Sequence, residues 1–490
     1  SYTRLLKENL NIQVVYDWTA STSDYDEKMS LCIGSNTIPE IMNVNATQYR
    51  ALLKYDMIQP LDKYFDDYAS DALKSYVKSG GEELQKCITN EDGELMAIPA
   101  PNLTAGGVNE MWIRQDWLDA LGLDVPRTWD ELAEVAKAFV TRDPDGNGEN
   151  DTIGILGPGN SDHMNAVGGN QFGLDPLFSC FQSYPQYWLK SEDGSVEYGS
   201  IQPETKTALE NISKLYADGV IDPETLVRSD SKEPLLAGKV GIFFGPWWCA
   251  YTFADTTLSG SADWRAYFTP LSEDGKYYTH MAEPTTQYVV ASKDCKNPEA
   301  AFKIINYLVA NEQKWVEEGV TSTEMGTGDF YPLYNTYDNA DEIEKSYEAL
   351  TKYLAGDISM DDVDFSTHKL LKNDMEAVTK LKKKPYDDFS LKYWNLDSDL
   401  AKTNLPRLVA IMVGDAPLVN EEYVPVYNAY NGQTETMEAK WANLKKMEEE
   451  TFAKIIMGKA DISEFDTFVK NWKSQGGDQI LKEINDELSK

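Results

Sequence analysis

A chain of 490 residues is too long for one ordinary hydrophobic core, so two domains are expected, and 42% hydrophobic residues suffice to fill both. A formal net charge of −36 repels phosphate backbones and anionic membrane surfaces, which argues against a nucleic-acid partner. No apolar run approaches the roughly 18 residues that a spanning helix needs. The five cysteines, Cys32, Cys87, Cys180, Cys249 and Cys295, are widely spaced without a C-x-x-C pair. They form neither a disulfide framework nor a zinc site, although one disulfide stays open. Three histidines, His163, His280 and His368, leave few candidates for a triad or a transition-metal site. The 12 Trp and 28 Tyr are plentiful, and many stand beside Gly, Pro or Asn. Their flat apolar faces and polar edges suit a partly wet ligand, while most must serve the cores.

In chain order, the β-branched run "IQVVYDW" predicts a buried strand, and "YRALLKYDMIQPLDKYF" carries helical spacing. "IPEIMNVN" repeats the strand signature, "LMAIPAP" is a short extended piece, and "MWIRQDWLDALGL" runs from strand into helix. Thr128 with Glu131 three residues later forms a capping box before the apolar face Leu132, Val135, Ala136 and Phe139. "TIGILG" is a short strand. "PETKTALENISKLYADGVID" is a helix stopping at Gly219, and "GKVGIFFGPWW" is a buried strand broken at Gly245 and Pro246. After "TQYVVASKDC", Asn297 and Pro298 open a helix, and from Met360 onward helix dominates, ending in "ISEFDTFVKNW" and "QILKEINDEL". Alternating strands and helices predict α/β architecture with largely parallel sheets.

Between the capped helix and "TIGILG" lies "DPDGNGENDTIG", which sets Asp143, Asp145, Asn147 and Asp151 at alternating positions. Calcium wants six to eight oxygens at roughly 2.3 to 2.6 Å, and the EF-hand loop draws them from alternating positions. Asp143, Asp145, Asn147, the carbonyl of Glu149 and Asp151 supply the first five, but Gly154 stands where the EF-hand has its bidentate Glu. A plain Asp/Asn/Gly turn held by its own backbone is the alternative.

The runs "GSNTIPEIMNVNA", "MWIRQDWLDALGLDVPRTWDELAEVAKAF", "DPDGNGENDTIGI", "LYADGVIDPE", "GKVGIFFGPWW", "NPEAAFKIINYL" and "KIIMGKADISEFDTFVKNWKSQGGDQILKEIN" span nearly the full length. Together they resemble the extracellular solute-binding lipoproteins of bacterial ABC sugar importers, in particular the calcium-containing, alginate-binding-protein-like subgroup. The resemblance implies a two-lobed, type II-like periplasmic-binding-protein fold, α/β with a helical C-terminal part, closing on a saccharide between its lobes. It places discontinuous lobes at 1–152 plus 284–335 and at 153–283 plus 336–490. It implies a structural Ca2+ on Asp143, Asp145, Asn147, Glu149 and Asp151, although related loops often carry an acid where Thr152 stands. The expected partners are an oligosaccharide and ABC permease subunits. The protein is expected as a monomer, at the surface of a Gram-positive cell through an upstream lipid anchor, or in a periplasm.

Sugars need aromatic plates with amide, carboxylate and guanidinium neighbours. Trp247 and Trp248, thrown into the loop at the carboxyl end of their strand, are the first candidates, with one of the two able to pack under the loop. Trp18 and Asn45 occupy equivalent strand ends, and Glu283, Gln287 and His280 flank a return crossover. Tyr331, Tyr334 and Trp394 complete the set. A glycoside hydrolase or lyase would need two carboxylates at set spacing, and no G-x-S-x-G, H-E-x-x-H or phosphate loop is present. Peptide binding or adhesion is a third reading. The expectation is a binding protein without catalytic residues.

Overall fold

The structure, a computed structural model, describes residues 2–160, 171–317, 333, 335, 337–365, 368, 370–381, 394–396 and 398–489. Its strands are β1 (Ile41–Val44), β2 (Ile98–Pro101), β3 (Glu110–Arg114), β4 (Ile153–Ile155), β5 (Trp188–Lys190), β6 (Val196–Tyr198), β7 (Val240–Gly245), β8 (Trp264–Tyr267), β9 (Tyr277–His280), β10 (Thr285–Ala291) and β11 (Tyr423–Val426). Two compact units divide the chain. The first comprises Ser1–Leu103, Glu283–Glu342 and Asp364–Lys369, and the second Thr104–Ala282, Ile343–Val363 and Leu370–Lys490. The unit changes at Ala282, beside the boundary expected at Pro284, and at Glu342, a few residues beyond Asn335. The boundary expected near Thr152 lies instead at Leu103, because β3 pairs with β7 and β8 and carries its neighbours into the second unit.

In the first unit a three-stranded sheet runs β1-β10-β2, with both outer strands antiparallel to β10 and Ile41 opposite Ala291. Helices Ala46–Lys54, Asp71–Ser79 and Glu299–Glu317 bring Leu52, Leu73, Phe302 and Ile305 into one core with Ile98 and Val289, all fully enclosed. The first of these helices starts at Asn45, whose side chain accepts from the Gln48 amide at 2.9 Å while Gln48 accepts from the Asn45 amide at 3.2 Å. The predicted strand "IQVVYDW" is absent. Ile12 and Val14 lean on the core, but Val15 is 74% exposed and the segment pairs with no strand. β-branched content expresses a preference, and a strand forms only where a neighbour takes its backbone hydrogen bonds.

In the second unit the sheet order is β4-β7-β3-β8, with β4 parallel to β7 and β3 antiparallel to both its neighbours. β5 and β6 form an antiparallel ribbon, and β9 and β11 a parallel one. Most pairings in both units are therefore antiparallel, against the largely parallel sheets expected. Parallel pairing needs a crossover that returns the chain in the same direction, and among the described strands the β4–β7 and β9–β11 pairs have one. β7 is buried along its length, and Trp112, Phe243, Phe253 and Trp264 form a ring cluster around it with centroids 5.1–6.2 Å apart. Helix Trp129–Thr141 begins at the predicted Thr128–Glu131 capping box. The C-terminal helices Glu435–Ile456, Glu464–Trp472 and Asp478–Leu488 pack onto the β5–β6 ribbon, where Tyr198 stacks on Trp472 at 4.8 Å. Each such enclosed aromatic removes roughly 150–250 Å² from water.

Candidate functional site

β7 ends at Gly245 and Pro246, and the chain then makes a tight turn, Trp247–Cys249, leading into helix Ala250–Leu258. Trp247 packs under the loop at 6% exposure. It lies so close to Gly414 that a Cβ there would stand 2.6 Å from the Trp247 carbonyl, so the glycine is needed for the approach. Trp248 is half-buried and offers the open face. One turn further, Tyr251 is 49% exposed, and residues three apart share a helical side. Burial raises the pKa of the Tyr251 phenol and the nearby Arg407 guanidinium opposes that rise, while Arg407 Nε donates to both carboxylate oxygens of Asp374 at 2.9 Å. Burial pushes the Asp374 carboxyl up, opposed by the adjacent guanidinium. Glu110 and Asp415 are fully enclosed, their carboxylates without a hydrogen-bond partner among the described residues, and burial pushes both carboxyls well above their ordinary range.

In the first unit Gln287 is exposed on β10, at an irregularity between Thr285 and Tyr288. It lines a hollow of about 330 Å³ with Ala100, Pro101, Asn102, Leu103, Asn335 and Asp338. Asn335 is held by the Asn43 side-chain amide at 2.9 Å, and Asn102 donates to the Glu283 carbonyl at 2.8 Å. Glu283 is half-buried. Burial raises its carboxyl, and nearby Arg50 opposes that rise without pairing.

The remaining candidates are otherwise engaged. His280 is buried between the rings of Tyr184 and Tyr187, at 5.4 and 4.5 Å. Burial lowers its pKa to about 3, so it is neutral at pH 7 and serves packing. Trp394 is 2% exposed and lies in the interior. Asn45 spends its amide on the helix cap and on Asp26, at 3.1 Å. Trp18 is half-buried against Tyr25 at 5.3 Å, with Lys28 over its ring. Tyr331 and Tyr334 lie outside the described residues. Tyr251 stands three residues after Trp248, a spacing legible in the sequence, whereas the pairing of Arg407 with Asp374 across 33 positions leaves no local signal.

The Asp143–Asp151 loop sits in the second unit between helix Trp129–Thr141 and β4. Asp143 accepts from the amides of Asn147 and Gly148 at 3.1 and 3.0 Å, and Asn147 donates to Asp145 and Asp151 at 3.0 and 3.3 Å. Among the described residues no group of three or more His, Cys, Asp or Glu side chains is arranged to hold a metal ion. The donor set nonetheless fits a hard cation. It is all oxygen, and burial together with the adjoining Asp143 and Asp151 carboxylates pushes the Asp145 carboxyl up, a repulsion that a cation relieves. Asp151 is tied to Lys239 at 2.9 Å, which lowers its pKa. A side chain at Gly154 would meet the carbonyls of Val220 and Ala136 at 2.6 and 2.8 Å, so no glutamate fits there. Thr152, in the place of the expected acid, donates to the Phe139 carbonyl at 2.7 Å and fastens the strand to the helix.

The sequence pattern of the bacterial extracellular solute-binding proteins matches residues 3–315. The fructooligosaccharide ABC transporter substrate-binding protein FusA of Streptococcus pneumoniae is 30% identical over 246 residues, which are 46% of this chain and 43% of FusA. The polygalacturonan/rhamnogalacturonan-binding protein YtcQ of Bacillus subtilis is 24% identical over 472 residues, 94% of this chain and 82% of YtcQ. The match thus spans less than half of FusA and most of YtcQ. An HMO-binding, ABC-transporter-associated solute-binding protein of Bifidobacterium longum infantis has the same fold at TM-score 0.59 and 17% identity, covering 98% of this chain and 92% of its own. So does an EF-hand mutant of FusA with bound fructo-nystose, at TM-score 0.56 and 19% identity, covering 100% and 95%. The sequence match over most of the chain, on a fold shared end to end with such proteins, leads to one conclusion: this chain belongs to the bacterial extracellular solute-binding proteins.

Proposed function

We propose that the protein captures an oligosaccharide outside the cell and delivers it to the permease of an ABC importer, without altering it chemically. The observation that carries this is the open aromatic surface at the carboxyl end of β7, Trp248 followed one turn later by Tyr251, in a member of a solute-binding family. Gln287, Asn102 and Asn335 offer amides of the kind that bind sugar hydroxyls, and FusA and YtcQ are both named for the saccharides they bind. The test is the thermal midpoint against a panel of oligosaccharides, since a ligand at 100 times its Kd stabilises by about 2.7 kcal/mol. One glycan class raises the midpoint, and Trp248→Ala reduces that rise while leaving the unliganded midpoint in place. A flat response to every saccharide would end the reading.

Calcium on Asp143, Asp145, Asn147, Asp151 and the Glu149 carbonyl belongs to the same proposal, supported by the oxygen-only donor set and by the existence of an EF-hand in FusA. When bound, the ion ties helix Trp129–Thr141 to β4 through one loop. These residues orient a strand and take no part in ligand chemistry.

A further inference from the structure

The last donor of the Asp143–Asp151 loop is shared with a cation of the chain itself. Asp151 stands two residues before β4 and Lys239 one residue before β7, and the parallel register sets Ile153 opposite Val240. The Ile153 amide donates to the Lys239 carbonyl at 2.8 Å, and the Lys239 amide donates to the Pro234 carbonyl at 3.0 Å, so the backbone fixes this lysine beside the loop. Its ammonium lies 2.9 Å from Asp151 Oδ2, while Asp151 Oδ1 accepts from the side-chain amide of Asn147 at 3.3 Å. Both oxygens of that carboxylate are thereby engaged. The Lys239 and Asp151 side chains are 44% and 33% exposed, so an ion from solvent can reach them and the ammonium has room to swing away.

Calcium needs six to eight oxygens, and the loop offers five groups, Asp143, Asp145, Asn147, the Glu149 carbonyl and Asp151. The positions that follow add no carboxylate: the Thr152 hydroxyl is turned to the Phe139 carbonyl at 2.7 Å, and backbone carbonyls hem in Gly154. Another oxygen from the loop must come from a carboxylate binding through both of its atoms, and at Asp151 that means displacing Lys239. We propose that Lys239 is a built-in competitor for the ion, an inference that rests on the calcium reading above. In the absence of an ion its ammonium offsets one of the three aspartates and helps to keep the loop folded. A divalent cation must either pull Asp151 away from the ammonium or bind beside a like charge, and either course weakens its binding.

The experiment is calcium titration calorimetry of the full chain after removal of metal by a chelator, comparing the wild type with Lys239→Met, Lys239→Gln and Lys239→Arg. The first two variants remove the charge and bind calcium roughly tenfold more tightly. Lys239→Arg keeps the charge and stays within about threefold of the wild type. The same order appears in the calcium concentration needed to raise the thermal midpoint, since an ion that binds only the folded state stabilises by mass action. Unchanged or weaker binding by both uncharged variants overturns the competition. So does tightening by Lys239→Arg equal to that by Lys239→Met, which would assign the effect to the shape of the lysine rather than its charge. Both results leave the calcium reading standing. Absence of calcium binding by all four proteins overturns the calcium reading and the inference with it.

Discussion

Glu448 is 1% exposed, yet it sits on helix Glu435–Ile456 among polar partners, accepting from Tyr198 and Ser200, each at 2.8 Å. Burial dominates those bonds and pushes its carboxyl up to about 7. The folded state therefore holds this proton more tightly than the unfolded chain. Its effect on stability is nil below about pH 4, becomes increasingly unfavourable as pH rises from the unfolded pKa to about 7, and is constant above that. Glu448→Gln should raise the thermal midpoint at pH 8, by an amount equivalent to roughly 3 kcal/mol at most, and lose that gain near pH 4.5. A midpoint gain equal at both pH values would assign the effect to packing. The neighbouring tryptophans teach a second lesson at this scale. Trp247 and Trp248 are chemically identical and adjacent, and the turn that follows Pro246 leaves the first buried and the second half-buried.

Two elements differ in how far local sequence governs them. Helix Trp129–Thr141 starts where its capping box says, because Thr128 and Glu131 satisfy amide groups within four residues of each other. Thr128→Ala should cost about 1 kcal/mol, read from urea denaturation with an unchanged slope. "IQVVYDW" has the composition of a strand but joins no sheet among the described residues, so its propensity goes unused. The Asp143–Asp151 loop was legible as a set of donors, and its missing twelfth-position glutamate has a steric reason, the backbone pressed against Gly154, that no local pattern contains. If the loop holds calcium, a chelator lowers the thermal midpoint and Asp145→Asn abolishes that response. A midpoint indifferent to chelator would leave the loop a hydrogen-bonded turn.

Each unit has a large hydrophobic core of its own, and the fully enclosed Leu52 and Leu209 belong to different ones. Multidomain chains depart from two-state unfolding, so calorimetry should give an enthalpy exceeding the van't Hoff value, with more than one component. Leu52→Ala and Leu209→Ala, each costing about 2–5 kcal/mol, should lower different components. One sharp transition shifted equally by both would refute independent cores.

The sequence by itself determined the family, the order of most helices and strands, the capped helix, the oxygen-rich loop and the place of Trp248. These depend on apolar period, caps and turn residues, interactions that act within a few positions. Tertiary structure decided which strands are neighbours, and so the antiparallel β1-β10-β2 sheet, the mixed β4-β7-β3-β8 sheet and the unit boundary at Leu103. It also enclosed His280 and Trp394 and brought Asp374 to Arg407. Contact between residues far apart in the chain is settled by which surfaces can be buried together, and that is a property of the folded whole.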